Sequence, residues 1–177
     1  MDLGGGNLNF HFTPFFTLLW AIFFKIFGVA NWVSRFFAAS FSLGSIVFFY
    51  KIVERFYSQK IAIIASLFWI ATPMFIYFGK MPVHEIPLMF FVLGAFYFYL
   101  TNRYLLTAIL SVLAMLTTWP GYFLIPAITI HSLITRTFNK KPVILWIFAP
   151  LLFLLPLLHN YSVTCDLFGG GLREIFL

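Results

Sequence analysis

The sequence predicts an all-α fold, a polytopic transmembrane bundle of about six spans with one juxtamembrane helix on the membrane surface. Of its 177 residues, 62% are hydrophobic and 22% aromatic, whereas only 9% are charged. Soluble domains carry about 25% charged residues, and one this poor in charge lacks the polar surface to cover 26 phenylalanines. The few polar segments separate long apolar runs. We therefore expect one transmembrane domain over residues 1–177.

Boundary residues predict the first helix. Pro14 suits the first turn of a helix and Thr13 its N-cap, so we expect a helix over 15–27 that ends at Gly28. It contains Lys25 and is shorter than the roughly 20 residues that cross a bilayer, which places it on the outer membrane surface. The spans that we predict after it are 31–50, 61–78, 86–100, 104–118, 122–134 and 142–159.

Local composition adds detail to these spans. Small residues at 38–45 should let a neighbouring helix approach the 31–50 span closely. Pro73 should kink the 61–78 span near its outer third. The legs 104–118 and 122–134 are near the lower length limit for spanning, so this pair could cross only part of the membrane.

Charge along the chain predicts its orientation. A net charge of +6 would suggest nucleic acid in a soluble protein, but here the charge marks membrane topology, and we expect no nucleic-acid partner. By the positive-inside rule, three basic inter-helix loops should be cytoplasmic. Their residues are Lys51, Arg55, Lys60, Arg103, Arg136, Lys140 and Lys141. We therefore expect an integral protein of the cytoplasmic (plasma) membrane with its site facing outside.

The hinge at 79–85 is the main candidate site. Lys80, His84 and Glu85 bring a cation, an imidazole and a carboxylate together between two apolar runs, and ionisable groups beside hydrocarbon point to function. The alternative is that Lys80 and His84 snorkel to the interface while Glu85 caps the next helix. Arg35 either anchors its span at the interface or holds a phosphate or carboxylate. His11 falls on the same side.

This set of groups suits a substrate that is half lipid and half polar. Cations would steady a phosphate leaving group, and a carboxylate would orient or deprotonate a hydroxyl or amine. No second histidine follows His84 at the spacing of a zinc hydrolase. His131 beside Ser132 has no acidic partner nearby in sequence, which argues against a catalytic triad. We therefore interpret His131 as an interfacial residue. No cofactor is indicated, although a divalent metal near His11 or His84 is compatible with the sequence. The single cysteine, Cys165, excludes an internal disulfide.

Three short patterns then follow one another along the chain. The first is HFTP at 11–14, FKIFGV at 24–29, and Trp32 with Arg35; the second is ATP at 71–73, Tyr77 and the segment 80–88; the third is LTTWPG at 116–121. Their order over residues 8–135 resembles GT-C superfamily membrane glycosyltransferases. The closest resemblance is to the dolichyl-phosphate-mannose protein mannosyltransferase branch, glycosyltransferase family 39, which includes the aminoarabinose transferases that modify lipid A.

The resemblance implies a GT-C-like fold and a glycosyltransferase for hexosyl or pentosyl groups. Its donor would be a polyprenyl-phosphate sugar and its acceptor a lipid or protein, with membrane lipids around it and transfer by one inverting displacement at the extracytoplasmic face. Glu85 matches the family's acidic position after the third span, Lys80 the basic position before it, and Arg35 the arginine of the second span. His11 and Pro14 match the start of the juxtamembrane helix.

The sequence departs from the family pattern at two places, and these departures bear on whether the chain is active. Trp119 stands where the family often has a lysine. The family's catalytic aspartate lies in the first outer loop, and Asp2 is too near His11 to match it. We therefore expect a fragment of a longer chain, inactive alone, with the base upstream and Glu85 positioning substrate.

Two other classes stay open. One is a non-catalytic membrane subunit, which would tolerate loss of Glu85 and Lys80. The other is a transporter or flippase of lipid-linked sugars, which would need polar residues along a path through the bundle. The mid-span positions here are almost all apolar or small.

Overall fold

A computed structural model describes residues 14–135 together with residues 154 and 158. Within these residues the chain forms helices and short turns, which confirms the predicted all-α bundle. The elements are α1 (Pro14–Phe27), α2 (Asn31–Phe56), α3 (Gln59–Ile70), α4 (Pro73–Phe78), α5 (Glu85–Leu100), α6 (Tyr104–Thr117), a 3₁₀ helix (Trp119–Phe123) and α7 (Leu124–Ile134). The predicted span at 142–159 and the proposed N-cap Thr13 lie outside the described residues.

Helix α5 occupies the centre of the bundle. It packs between α2 and α6, while α3 lies against α2, and α7 contacts both α5 and the 3₁₀ helix. The rings of Phe41 and Phe90 are 5.3 Å apart and those of Phe48 and Tyr97 are 5.9 Å apart, so α2 and α5 run parallel. We call the end where both helices begin the Glu85 end, and the end where both finish the Tyr99 end.

Helix α2 is longer than the predicted span 31–50. Its 26 residues extend about 39 Å, and within the described part of the chain it is the helix that is long and apolar enough to cross a membrane. The prediction that Lys51, Arg55 and Lys60 lie in an inter-helix loop was wrong, because α2 continues to Phe56 and α3 already begins at Gln59. Glu54 lies 3.4 Å from the Lys51 ammonium and accepts a 2.9 Å hydrogen bond from Tyr50, pairs that stabilise a helix at these spacings.

Among the described residues, five shorter apolar helices hold 10–17 residues each and α4 holds six, fewer than the roughly 20 that a full crossing needs. Their outer faces are apolar, with Phe68 and Leu105 both 74% exposed. Such faces are costly in water and suit hydrocarbon.

Pro73 separates two helices, where the sequence predicted one kinked span. Thr72 is extended, with ψ of 136°, and its hydroxyl donates to the Trp69 carbonyl at 2.7 Å while accepting from the Phe75 amide at 3.4 Å. Thr72 therefore caps α4, and Pro73 takes the first helical position, where its missing N–H costs nothing. The residue before a proline disfavours helical geometry, which explains the break.

Close packing of α2 on α5 confirms the expectation from the small residues at 38–45. A Cβ added to Gly44 would collide with the ring of Phe90. The Phe90 ring of α5 thus lies directly against the α2 backbone where a side chain is missing, as small residues permit in membrane helices.

Replacing Gly44 by leucine should force the Phe90 ring out of place and lower stability by about 1–3 kcal/mol, the usual cost of overpacking. Ala39→Leu is the matched control, because Ala39 is exposed on the same helix. Thermal unfolding in detergent measures both. Equal melting temperatures for the two variants would show that the contact between Gly44 and Phe90 does not hold α2 and α5 together.

Candidate functional site

The hinge 79–85 joins α4 to α5 at the Glu85 end and is held by its own backbone hydrogen bonds. The Gly79 amide donates to the Phe75 carbonyl at 2.8 Å, and the Met81 amide donates to the Phe78 carbonyl at 2.9 Å. The Val83 amide bonds the Met81 carbonyl at 2.8 Å across Pro82, the pattern of a γ-turn. These bonds fix the path of the chain into the first turn of α5.

Ser42 fastens this hinge to α2. Its hydroxyl donates a 3.0 Å hydrogen bond to the Gly79 carbonyl, 37 residues away in sequence, and the residue is only 6% exposed. A carbonyl at a helix end has no partner within its own helix, so a side-chain donor satisfies it. Sequence reasoning noticed Ser42 only as a small residue. Serine in the middle of an apolar span was the available signal, but its partner could not be read from the sequence.

His84 and Glu85 form the chemical core of the site. The His84 Nε2 lies 3.1 Å from the Glu85 Oε1, with the imidazole 20% and the carboxylate side chain 53% exposed. Glu85 is the first residue of α5, where the helix dipole stabilises a negative charge. The capping alternative for Glu85 is therefore compatible with this geometry, yet half of the carboxylate stays open to a substrate.

Helix α1 supplies an aromatic wall beside this pair. The Phe16 ring meets the His84 ring edge to face, with centroids 6.1 Å apart, and also contacts Phe37 of α2 at 6.0 Å. The predicted bounds of α1 are confirmed, and Gly28 follows it with a positive φ of 83°, a conformation that glycine adopts readily. The contact between Phe16 and His84 was not foreseen.

The cations predicted for the site do not pair with its carboxylate. Lys80 and Arg35 are both exposed, and neither forms an ion pair with a described residue. Arg35 precedes Ser42 by seven residues, which places it on the same face of α2 and about 10 Å further toward the Glu85 end. Both cations are thus at the hinge end of the bundle. His11 lies outside the described residues.

The described residues contain no group of three histidine, cysteine, aspartate or glutamate side chains that could hold a metal ion. The pair His84 and Glu85 could supply two ligands at most. A metal at the hinge would thus need further ligands from other parts of the chain or from substrate.

Apolar helices around a polar hinge at the bundle's end define an integral membrane protein whose candidate site lies at the membrane boundary. Residues 11–160 match the family model described as dolichyl-phosphate-mannose-protein mannosyltransferase, so the chain belongs to that family. The matched segment includes all five site residues predicted from the sequence, His11, Arg35, Lys80, His84 and Glu85. At the family level the chain is therefore a membrane glycosyltransferase of the mannosyltransferase type. Comparison with characterised proteins and with solved structures finds no significant match.

Ser42→Ala should loosen the hinge, because it removes the one side-chain bond from α2 to the Gly79 carbonyl. We expect a stability loss of about 1 kcal/mol and faster amide hydrogen exchange at 79–85. Ser40→Ala is the control, since the Ser40 hydroxyl bonds only the Phe37 carbonyl of its own helix, at 2.8 Å. Mass spectrometry of peptides covering the hinge measures the difference. Equal exchange in both variants would contradict the role of Ser42.

Proposed function

We propose that this membrane domain of residues 1–177 takes part in sugar transfer from a polyprenyl-phosphate donor to a lipid or protein acceptor. The observation that carries the proposal is the pair His84 and Glu85, 3.1 Å apart at the start of α5, in a chain of a mannosyltransferase family. A half-exposed carboxylate at the membrane boundary can reach a substrate whose tail stays in hydrocarbon.

In this proposal Glu85 positions the reacting hydroxyl or amine of a substrate. The acceptor oxygen or nitrogen attacks the anomeric carbon and gives up its proton to a general base, the bond from that carbon to the phosphate oxygen breaks, and the phosphate leaves with its electron pair. A carboxylate that accepts a hydrogen bond from the nucleophile holds it in line and raises its electron density. His84 restricts the carboxylate to one orientation, and Phe16 restricts His84 in turn.

The exposed cations Lys80 and Arg35 would bind the donor phosphate. Charge builds on that phosphate as its bond to the sugar breaks, so a fixed positive charge stabilises the transition state more than the ground state. Neither cation is neutralised by a described carboxylate. Both are thus available for an anionic ligand at the Glu85 end.

We also propose that the Glu85 end faces outside, in a plasma membrane. The Tyr99 end carries Lys51, Arg55, Lys60 and Arg103 among its described residues, and such a basic end belongs in the cytoplasm by the positive-inside rule.

Glu85→Gln, introduced into the gene in its source cells, should lower sugar transfer in isolated membranes by about 100-fold or more. Stability should stay within about 0.5 kcal/mol, because the side chain is half exposed. Glu54→Gln is the control, since that carboxylate pairs with Lys51 at the opposite end. Transfer of labelled sugar from a polyprenyl-phosphate donor is the measurement. Full activity in Glu85→Gln membranes would favour the non-catalytic subunit.

Lys80→Ala and Arg35→Ala should each weaken donor binding and slow transfer by about tenfold, the usual loss for one charge-assisted hydrogen bond to a phosphate. Lys25→Ala is the control, because Lys25 is an exposed cation in the last turn of α1, outside the hinge. Initial rates across a range of donor concentrations separate binding from turnover. If all three variants slow transfer equally, the effect comes from general surface charge and not from phosphate binding by Lys80 and Arg35.

A further inference from the structure

A second polar cleft lies at the Tyr99 end, separate from the hinge. Its volume is about 450 Å³, within the range of small-ligand sites. Four elements line it, namely the end of α2, the end of α5, the following turn with the start of α6, and α7. The lining includes Arg55, Tyr99, Leu100, Asn102, Tyr104 and His131.

Several side chains in this cleft can offer hydrogen-bond donors to a ligand. The Tyr99 hydroxyl and the His131 Nδ1 are 3.3 Å apart, and in the neutral tautomer that accepts this bond at Nδ1, Nε2 carries a hydrogen and is a donor. The Tyr104 hydroxyl donates to the Asn102 side-chain carbonyl at 2.8 Å, so the Asn102 amide group contributes its N–H donors. The Arg55 guanidinium adds a permanent positive charge.

The imidazole is held in place by aromatic rings. The rings of Phe56, Phe96 and Tyr99 meet His131 at steep angles, with centroids 6.3, 5.7 and 5.6 Å away. Asn102 is the one described non-glycine residue with positive φ, 59°, a conformation that asparagine tolerates better than most residues. The His131 imidazole and the Asn102 amide are thus positioned by packing and by a turn before any ligand arrives.

Charge at this end selects the ligand. Among the described residues, no acidic side chain lines the cleft, and the acid nearest in sequence to Arg55, Glu54, already pairs with Lys51 at 3.4 Å. The Arg55 cation favours an anionic ligand here, and a guanidinium suits a phosphate best because it can bond two of its oxygens at once.

We propose that this cleft binds the phosphoryl group of an anionic ligand, at a site separate from the hinge. Glu85 and Tyr99 are fourteen residues apart on one helix, about 21 Å, so one phosphate cannot occupy both sites. Phe56 is 51% exposed and its ring contacts that of the lining residue His131, while Ile134, 76% exposed, precedes the lining residue Thr135 in sequence. A lipid could therefore seat its headgroup phosphate here while its chains pack on these residues; a free phosphate ester shares the same chemistry.

The test is a calorimetric titration. Short-chain phosphatidic acid is added to the full chain, which is purified in neutral detergent. Arg55→Gln should weaken binding at least tenfold, and Tyr99→Phe should weaken it as well by removing the hydrogen bond at the His131 Nδ1. The matched control is Arg103→Gln, an exposed cation at the same end outside the lining, for which the loss of general attraction should cost no more than about fivefold. Arg55→Lys should restore part of the affinity.

Two further titrations identify the source of the phosphate. If phosphatidic acid binds and glycerol 3-phosphate does not, the site takes a lipid headgroup; if both bind and both respond to Arg55→Gln, it takes the phosphate alone. Equal effects of Arg55→Gln and Arg103→Gln would overturn the proposal, as would phosphatidylcholine binding as tightly as phosphatidic acid. Arg55 is exposed, so its variants keep the fold, and gel filtration with circular dichroism checks Tyr99→Phe.

Discussion

The parallel packing of α2 on α5 is the constraint on which the rest of the described structure depends. Gly44 lets the two helices meet at the Phe90 ring, and the rings of Phe41 and Phe48 continue the contact along α5. Parallel neighbours need a connection that crosses the whole bundle, and α3 with α4 provides it. The hinge must then lie where α5 begins, beside the first half of α2, and Ser42 is in the right place to bond it.

Much of the helical order could be predicted from composition and boundary residues, because apolar runs, prolines and glycines act locally. Pro14, Gly28 and the start of α5 are near their predicted places for this reason. The end of α2 was missed because Lys51 and Arg55 were read as loop residues, although the pairing of Glu54 with Lys51 and Tyr50 is a helical pattern. The break at Thr72 was missed because a serine or threonine before a proline serves as a cap as readily as it precedes a kink.

The candidate site, too, could be predicted from the sequence only in part. The proximity of His84 and Glu85 is dictated by their adjacency in sequence, so it could be predicted from the chain alone. The contacts of Phe16 with His84 and of Ser42 with Gly79 join residues far apart in sequence, and only the packing of α1 and α2 creates them. Periodicity could not reveal either contact, because nearly every position in these helices is apolar or small.

His131 makes specific contacts that its interpretation as an interfacial residue did not predict. A histidine near a helix end in an apolar chain is ordinarily explained by partial exposure, and that explanation needs no partner. Here the imidazole is hydrogen-bonded to the Tyr99 hydroxyl and contacts three aromatic rings. A side chain that only reaches for the interface needs none of these contacts. Because α5 carries Glu85 at one end and Tyr99 at the other, a shift of this helix along its axis would alter both sites together. Anchoring the Tyr99 end by a bound phosphate would therefore also steady the carboxylate at the Glu85 end, even though the two ligands never meet.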